Sequence, residues 1–398
     1  MKIIGVKAYP LAASRPGVSP DKPDHYLPYW KELSAAGVRS KYYSCVVEIT
    51  TDEGITGYGE SLAREVPEAH ALIIERLLKN ILVGKNPTHV RELWEVMFSS
   101  LQTRGHYGGY FVEALSGVDI ALWDIVGKLK KAPVYEILGG PTASRIKAYA
   151  SSIYWHYLDR SGPEAVAKEA VGLVEAGHDQ IKLKIGVSKM GGTEDADIKL
   201  VKALRDAVGD EVNLMVDANS AFTFDEALKL GKAFEKHEVL WFEEPLPPHD
   251  LDGYVKLAKA LDMNIAGGES LFSSHTFHDF IVKGGFDIAQ PNLSRCGGIT
   301  ECMRIAELCK NHGVKLAPHV GLSGPGARAA ALQVSAALPR DVFFTYEYMY
   351  RQDNPLVTSL LAEPLEKFSR GHLELPKASG LGMSLDTSAI EKFLVQIS

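Results

Sequence analysis

From about residue 145 onward, short apolar runs alternate strictly with helical patterns. RIKAYASSI (145–153) precedes a helical pattern at 163–176, QIKLKIG (180–186) one at 193–207, VNLMVDAN (212–219) one at 224–236, and VLWFEEP (239–245) one at 250–261. NIAGGES (264–270), FDIAQPN (286–292), VKLAPHV (314–320) and FFTYEY (343–348) continue the series, with helical stretches at 274–283, 298–312 and 325–338 between them. Strand–helix alternation predicts a parallel sheet with crossover helices. Eight such units in succession predict an α/β fold of the closed (β/α)8 TIM-barrel type, with the open doubly wound sheet as the alternative. Residues 1 to about 120 read differently, as mixed α+β. MKIIGVKAYP reads as an edge strand, SCVVEITTDEGITGYGES (44–61) as a hairpin around a DEG turn, and helical patterns follow at 67–83, 88–100 and 114–131. The polar, aromatic stretch SPDKPDHYLPYWKEL (19–33) is too long for a plain connector and reads as a lid or binding loop.

A (β/α)8 barrel carries its active site at the C-terminal ends of its strands. The second strand of the series ends in Lys182 and Lys184, the third in Asp217 and Asn219, and the fourth in Glu243 and Glu244. The fifth ends in Glu269, the sixth in Asn292, the seventh in His319 and the eighth in Glu347. One strand-end carboxylate is ordinarily just solvated, but polar ends on seven successive apolar strands point to a built site. Asp217, Glu243 and Glu269 are spaced 26 residues apart, one βα unit each, and are expected at equivalent heights on adjacent strands. Three facing carboxylates repel unless a cation lies between them. All-oxygen ligation suits Mg2+ first and Mn2+ second, one ion per site. Lys184 and His319 flank this group as candidates for proton transfer. Lys182 shares a strand face with Lys184 and is expected to lower its pKa and to contact a substrate anion.

Composition narrows the partners. The 398 residues are 46% hydrophobic and 23% charged, an ordinary globular balance, and the net charge of −7 gives no basic footprint for nucleic acid. No run approaches a membrane span and no signal peptide is expected, so a cytoplasmic protein is expected. Cys45, Cys296, Cys302 and Cys309 form no CxxC pair and read as reduced structural thiols.

KLK (182–184), VDAN (216–219), WFEEP (241–245), GGES (267–270), QPNLSRCGGIT (290–300), PH (318–319) and YEY (346–348) together resemble the enolase superfamily, in its mandelate racemase/muconate lactonizing enzyme family and mandelate racemase subgroup. The resemblance implies an α+β capping domain over 1–123, a barrel over 124–372 and a segment over 373–398 that returns to the cap. It also implies Mg2+ on Asp217, Glu243 and Glu269, Lys184 and His319 as the acid/base pair, and Glu347 bonded to a substrate carboxylate. A homo-oligomer is expected on the same ground. The chemistry is removal of a proton α to a carboxylate through an ene-diolate, for which a cation and a lysine or histidine base are the known means. Loss of a β-hydroxyl then dehydrates a sugar acid to a 2-keto acid, while reprotonation or ring chemistry gives a racemase, epimerase or sugar-lactone cycloisomerase. The subgroup has Asp where this chain has Asn292. A neutral partner is expected to leave His319 the weaker base, which favours Lys184 as base and dehydration as outcome. The same substitution keeps open a weakened, ligand-binding homologue.

Other signals count for less. GPGARAAA (324–331) is read as tight helix docking rather than a dinucleotide turn, and Glu244 as a neighbour of the metal group rather than a ligand. Asn219 is placed near metal-bound water. His25, Tyr26, Tyr29, Trp30, Arg104, His106, Tyr107, Trp155 and His156 are candidate pocket residues.

Overall fold

The computed structural model describes residues 1–16, 18, 31–154 and 162–396. The predicted hairpin forms as β2 (Lys41–Thr51) and β3 (Thr56–Ser61), and β1 (Ile3–Ser14) completes an antiparallel sheet in the order β1-β2-β3. Helices Pro67–Ile73, Val90–Gln102 and Gly109–Lys130 pack with it. Helix Gly109–Lys130 lies hard on β3. A Cβ at Gly59 would fall 2.0 Å from the carbonyl oxygen of Gly117, so only glycine permits the approach. This helix starts five residues before the predicted pattern and runs unbroken through position 123.

The barrel strands are β4 (Arg145–Ile153), β5 (Gln180–Lys184), β6 (Asn213–Asp217), β7 (Val239–Glu243), β8 (Asn264–Gly267), β9 (Ile288–Ala289), β10 (Lys315–Leu316) and β11 (Tyr346–Met349). Parallel ladders join each to the next from β4 to β10, and β11 pairs with β4. The join between β10 and β11 is narrow: a single parallel bridge, Leu316 to Phe343, with Leu316 N donating to Val342 O and Phe344 N to Leu316 O, both at 2.9 Å. β9 and β10 are short because Pro291 and Pro318 follow closely and bring no N–H to the ladder. Tyr149, Met215, Trp241, Ala266, Ile288 and Ala317 pack as a cluster of their own, the apolar plug inside the ring. The outer strand faces pack on the helices in the main core.

Cap and barrel share buried polar contacts. Trp123 Nε1 donates to Thr300 Oγ1 (2.9 Å), and Thr300 Oγ1 to Asp119 Oδ1 (2.6 Å). Glu60 on β3 accepts from Gly324 N (2.7 Å) and Ala327 N (3.0 Å), so a cap carboxylate meets the N-terminus of helix Pro325–Ala337. This is the docked helix that GPGARAAA predicted. A hairpin of β12 (Phe368–Ser369) and β13 (His372–Glu374) pairs with β4, and after helix Thr387–Phe393 the chain bridges Leu394 to Leu11 of β1. The four cysteines are free and buried. No helix among the described residues is long and apolar enough to cross a membrane.

Candidate active site

Register places the site. Lys184 pairs with Asp217, and Asp217 with Glu243, so three ionisable residues form one row across β5, β6 and β7. Glu269 departs from the expectation of equal heights. The ladder partner of Glu243 is Ala266, and Glu269 lies three residues further on, beyond a left-handed Gly268 (φ 115°) that turns the chain back. The carboxylates still converge: one ligand atom from each of Asp217, Glu243 and Glu269 lies within 4.8 Å of the others.

Lys182 is 1% exposed and sits on the plug, its Nζ 5.2 Å from the centre of the Tyr149 ring. It bonds to Glu243 Oε1 (2.7 Å) and Glu347 Oε1 (3.0 Å) and lies 3.4 Å from Asp217 Oδ2. Lys184 donates to Asp217 Oδ2 and to Asn219 Oδ1, the latter at 2.8 Å. Burial, the largest effect, and Lys182 both push the Lys184 pKa down, the latter as expected, but Asp217, Tyr154 and Glu269 together outweigh them and the net pKa is raised rather than lowered. Burial likewise acts against the charge on Lys182, and Glu243 and Glu347 more than offset it. For both lysines burial is the largest single effect, and the surrounding carboxylates together reverse it.

The carboxylates show the corresponding strain. Burial, then Asp217, pushes the Glu243 pKa well above the usual range. Asp217 stays low because Lys184 and Lys182 overcome its burial, and Glu269 is held low against burial by His319 whenever that ring is charged, together with Arg64 and Lys184. Glu269 Oε2 is buried and has no hydrogen bond, although His319 Nε2 lies 3.0 Å away out of hydrogen-bond line. Convergent oxygens, a carboxyl driven to keep its proton and an unbonded buried oxygen fit a hard divalent cation.

Asn292 and His319 form an isolated parallel bridge just past β9 and β10. Asn292 Oδ1 accepts from Ser294 N (3.0 Å) and Ser294 Oγ (2.7 Å), which turns its amide nitrogen to His319 Nδ1 at 2.9 Å. An amide nitrogen only donates, so Nδ1 is the acceptor and the neutral ring carries its proton on Nε2, as assigned from this network. Glu347 accepts from Ser151 Oγ (2.6 Å), Val320 N (2.5 Å) and Gly321 N (2.9 Å), and these with Lys182 hold its carboxyl low despite burial.

The sequence reading missed four contributors. Arg64 NH2 reaches Glu269 Oε1 at 3.6 Å from the cap, Gln290 donates to Glu243 Oε2 (2.8 Å), Ser151 anchors Glu347, and Tyr149 meets Lys182 at 3.3 Å. Gln290 stands in the quoted QPN run and carried that signal; the others meet their partners only across elements. Glu244 is buried, and its pKa is pushed up to about 8 by burial and then by Glu269. Arg104, His106 and Tyr107 lie on the exposed turn before helix Gly109–Lys130. His25, Tyr26, Tyr29, Trp30, Trp155 and His156 fall outside the described residues.

A lysine and a histidine on different strands of one barrel flank three convergent carboxylates. The chain belongs to the mandelate racemase/muconate lactonizing enzyme family of the enolase superfamily. Residues 28–139 match the family's N-terminal domain, and residues 165–389 match the enolase C-terminal domain-like family. Arabinonate dehydratase of Saccharolobus solfataricus is 35% identical over 87% of this chain and 89% of its own. D-galactarolactone cycloisomerase of Agrobacterium fabrum is 34% identical over 87% and 90%. The crystal structure of an enolase-superfamily member from Polaromonas sp. JS666 aligns with a TM-score of 0.86 at 30% identity, over 100% of this chain and 99% of that one.

Proposed function

We propose that this chain is a Mg2+-dependent sugar-acid dehydratase. The carrying observation is that Lys184 and His319 close on the carboxylates from two sides, Lys184 on Asp217 and His319 Nε2 at 3.0 Å from Glu269. Asp217, Glu243 and Glu269 would hold the ion. Bound there, Mg2+ would supply the charge that stabilises a substrate carboxylate taking on a second negative charge, and would compete with Lys184 for Asp217. With Asp217 turned to the ion, Lys184 would lose the first of the partners that raise its pKa, and as the free amine it takes the C2 proton. The C–H electron pair passes into the substrate carboxylate as an ene-diolate, and its return forms the C2–C3 double bond as the C3 hydroxyl leaves. His319 gives that hydroxyl its Nε2 proton and water departs. Donation from Asn292 into Nδ1 makes the neutral ring a better donor, as a helix N-terminus does for a neutral catalytic imidazole elsewhere. The resulting enol tautomerises to a 2-keto-3-deoxy acid, and solvent resets Lys184 and His319. Lys182 and Glu347 form the floor of the site; Glu347 accepts from Lys182, Ser151, Val320 and Gly321, and once ionised it has no proton to offer a substrate carboxylate.

The similarity to the arabinonate dehydratase supports this reading. The similarity to the cycloisomerase favours a second one, in which the same proton transfer opens a sugar lactone. A panel of sugar acids and lactones with Mg2+ in D2O, followed by proton NMR, separates them. A 2-keto product that disappears in Lys184→Ala is expected. Deuterium at C2 without loss of water would replace dehydration with isomerisation, and no reaction across the panel would sink both.

A further inference from the structure

Asp217 and Glu243 are held in place by the sheet itself, as ladder partners of each other. Glu269 is not. Its strand, β8, ends at Gly267, and the final pair in the ladder to β9 is Gly267 with Ala289. An ion as small as Mg2+ tolerates little departure from octahedral geometry. A ligand that stands beyond its ladder therefore needs another support, and Arg295 supplies one. Its guanidinium lies 3.4 Å from the carbonyl oxygen of Glu269 and 5.5 Å from the centre of the Phe272 ring. One side chain thus braces the segment 269–272 at both ends. A backbone bond, Ser273 N to Cys296 O at 3.0 Å, ties the same two loops just beyond it.

Arg295 is itself fixed from the cap. Glu113 Oε1 accepts from its Nε at 2.8 Å, and the other oxygen of Glu113 is occupied by His70 Nε2 at 2.8 Å. Glu113 is buried, so bulk water screens this contact poorly. Ser116, Asp119 and Trp123 follow Glu113 at steps of three, three and four residues, the spacing of one helix face. Ser116 Oγ accepts from Gly297 N (2.8 Å), Asp119 Oδ2 accepts from Thr300 N (2.9 Å), and Trp123 Nε1 donates to Thr300 Oγ1 (2.9 Å). One face of the cap helix thus holds the turn 295–300 along its length. Among the described residues, Glu113–Arg295 is the contact of this face that continues to the carbonyl of Glu269. Paired with Glu113, the guanidinium also stands near a cation site at little electrostatic cost.

We propose that Arg295, held by Glu113, is a positioning residue for Glu269, so that the cap helix sets part of the affinity of the three carboxylates for their cation. The inference rests on the reading of Asp217, Glu243 and Glu269 as a Mg2+ site. By linkage, docking of the cap helix on the turn 295–300 and binding of the cation favour each other.

The test titrates Mg2+ calorimetrically into the full chain and into Arg295→Gln, Arg295→Lys and Ser116→Ala, with the urea midpoint of each recorded alongside. Arg295→Gln is expected to bind Mg2+ roughly tenfold to a hundredfold more weakly than the wild type, the range for losing a partner of a metal ligand. Arg295→Lys keeps a charge beside Glu113 without the planar fork, and loses affinity by a smaller factor. Ser116→Ala removes the anchor at Gly297 and lowers the urea midpoint, yet binds Mg2+ as the wild type does. Wild-type affinity in Arg295→Gln, or in Arg295→Lys where the Gln variant fails to fold, overturns the proposal. So does an equal loss of affinity in Ser116→Ala, because the effect then belongs to cap docking in general. In both of those cases the wild type still binds Mg2+ and the metal site stands. Absence of Mg2+ binding in the wild type removes the metal site itself, and this inference with it.

Discussion

Lys182 and Lys184 share a strand face and have different tasks. Lys182 is sealed between the aromatic plug and two carboxylates, whereas Lys184 faces Asp217 and Asn219 at the rim of the same row. Lys184→Ala should therefore lower kcat by at least about a thousandfold, within the range for losing a general base, with unfolding temperature little changed. Lys182→Ala should destabilise the fold instead, by roughly 3–5 kcal/mol, because it strands Glu243 and Glu347 in a buried site; urea denaturation separates the two variants. Asn292 governs His319 through direction. An Asp there would accept from Nδ1 and free Nε2 to act as a base, so Asn292→Asp should add deuterium exchange from the His319 face. Unchanged facial selectivity by NMR would count against the tautomer assignment. The identity of Lys184, His319 and Asn292 was legible from strand-end position. The sign of the lysine pKa shift was not, because it depends on a carboxylate one strand away.

Among elements, helix Gly109–Lys130 ties the cap to the loop that carries Glu269. Glu113 on this helix bonds to His70 Nε2 and to Arg295 Nε, both at 2.8 Å, and Arg295 also lies 3.4 Å from the carbonyl of Glu269. Burial raises the Glu113 pKa, but His70 and Arg295 overcome this and leave it below the usual 4.5. A lowered folded pKa gives stabilisation that is full above the unfolded value and lost as pH falls through the folded one. Urea unfolding of the wild type should therefore weaken below about pH 4.5, and Glu113→Gln should remove part of that acid limb while costing roughly 3 kcal/mol at pH 7. An acid limb of unchanged depth in the variant would mean that Glu113 does not titrate in this range. Helix 109–130 was legible as apolar periodicity. Its grip on Arg295 was not, because 182 residues separate Glu113 from its partner.

At the scale of the whole molecule, three strands supply the carboxylates and the fold bears the cost of holding them together. A cation bound to the folded state alone stabilises it by mass action, about 2.7 kcal/mol at a concentration a hundred times Kd. Mg2+ should accordingly raise the unfolding temperature by a few degrees, roughly 2–4 °C per kcal/mol at Tm for chains of 150–250 residues and less for a longer one. The shift should vanish in Asp217→Asn. A Mg2+-independent unfolding temperature in the wild type would count against the triad as a metal site. The cap participates at this scale too, through Glu60 at the N-terminus of helix Pro325–Ala337 and through Arg64 beside Glu269.

The sequence by itself determined the alternation of strands and helices, the polar residue ending each barrel strand from the second to the eighth, and hence the ring on which Lys184, Asp217, Glu243, Asn292, His319 and Glu347 stand. Periodicity is local, and the barrel converts each strand end into a place around one mouth. Only the tertiary structure decided the rest. Glu269 reaches the group from beyond the ladder because Gly268 turns the chain, and the narrow join at Leu316 and Phe343 follows from where the chain leaves the sheet. Arg15, Arg39, Lys41 and Arg64 line one cavity because the end of β1, the start of β2 and the turn after β3 come together. Charges also set one another's protonation by distance through a buried interior, and that distance exists only once the ring has closed.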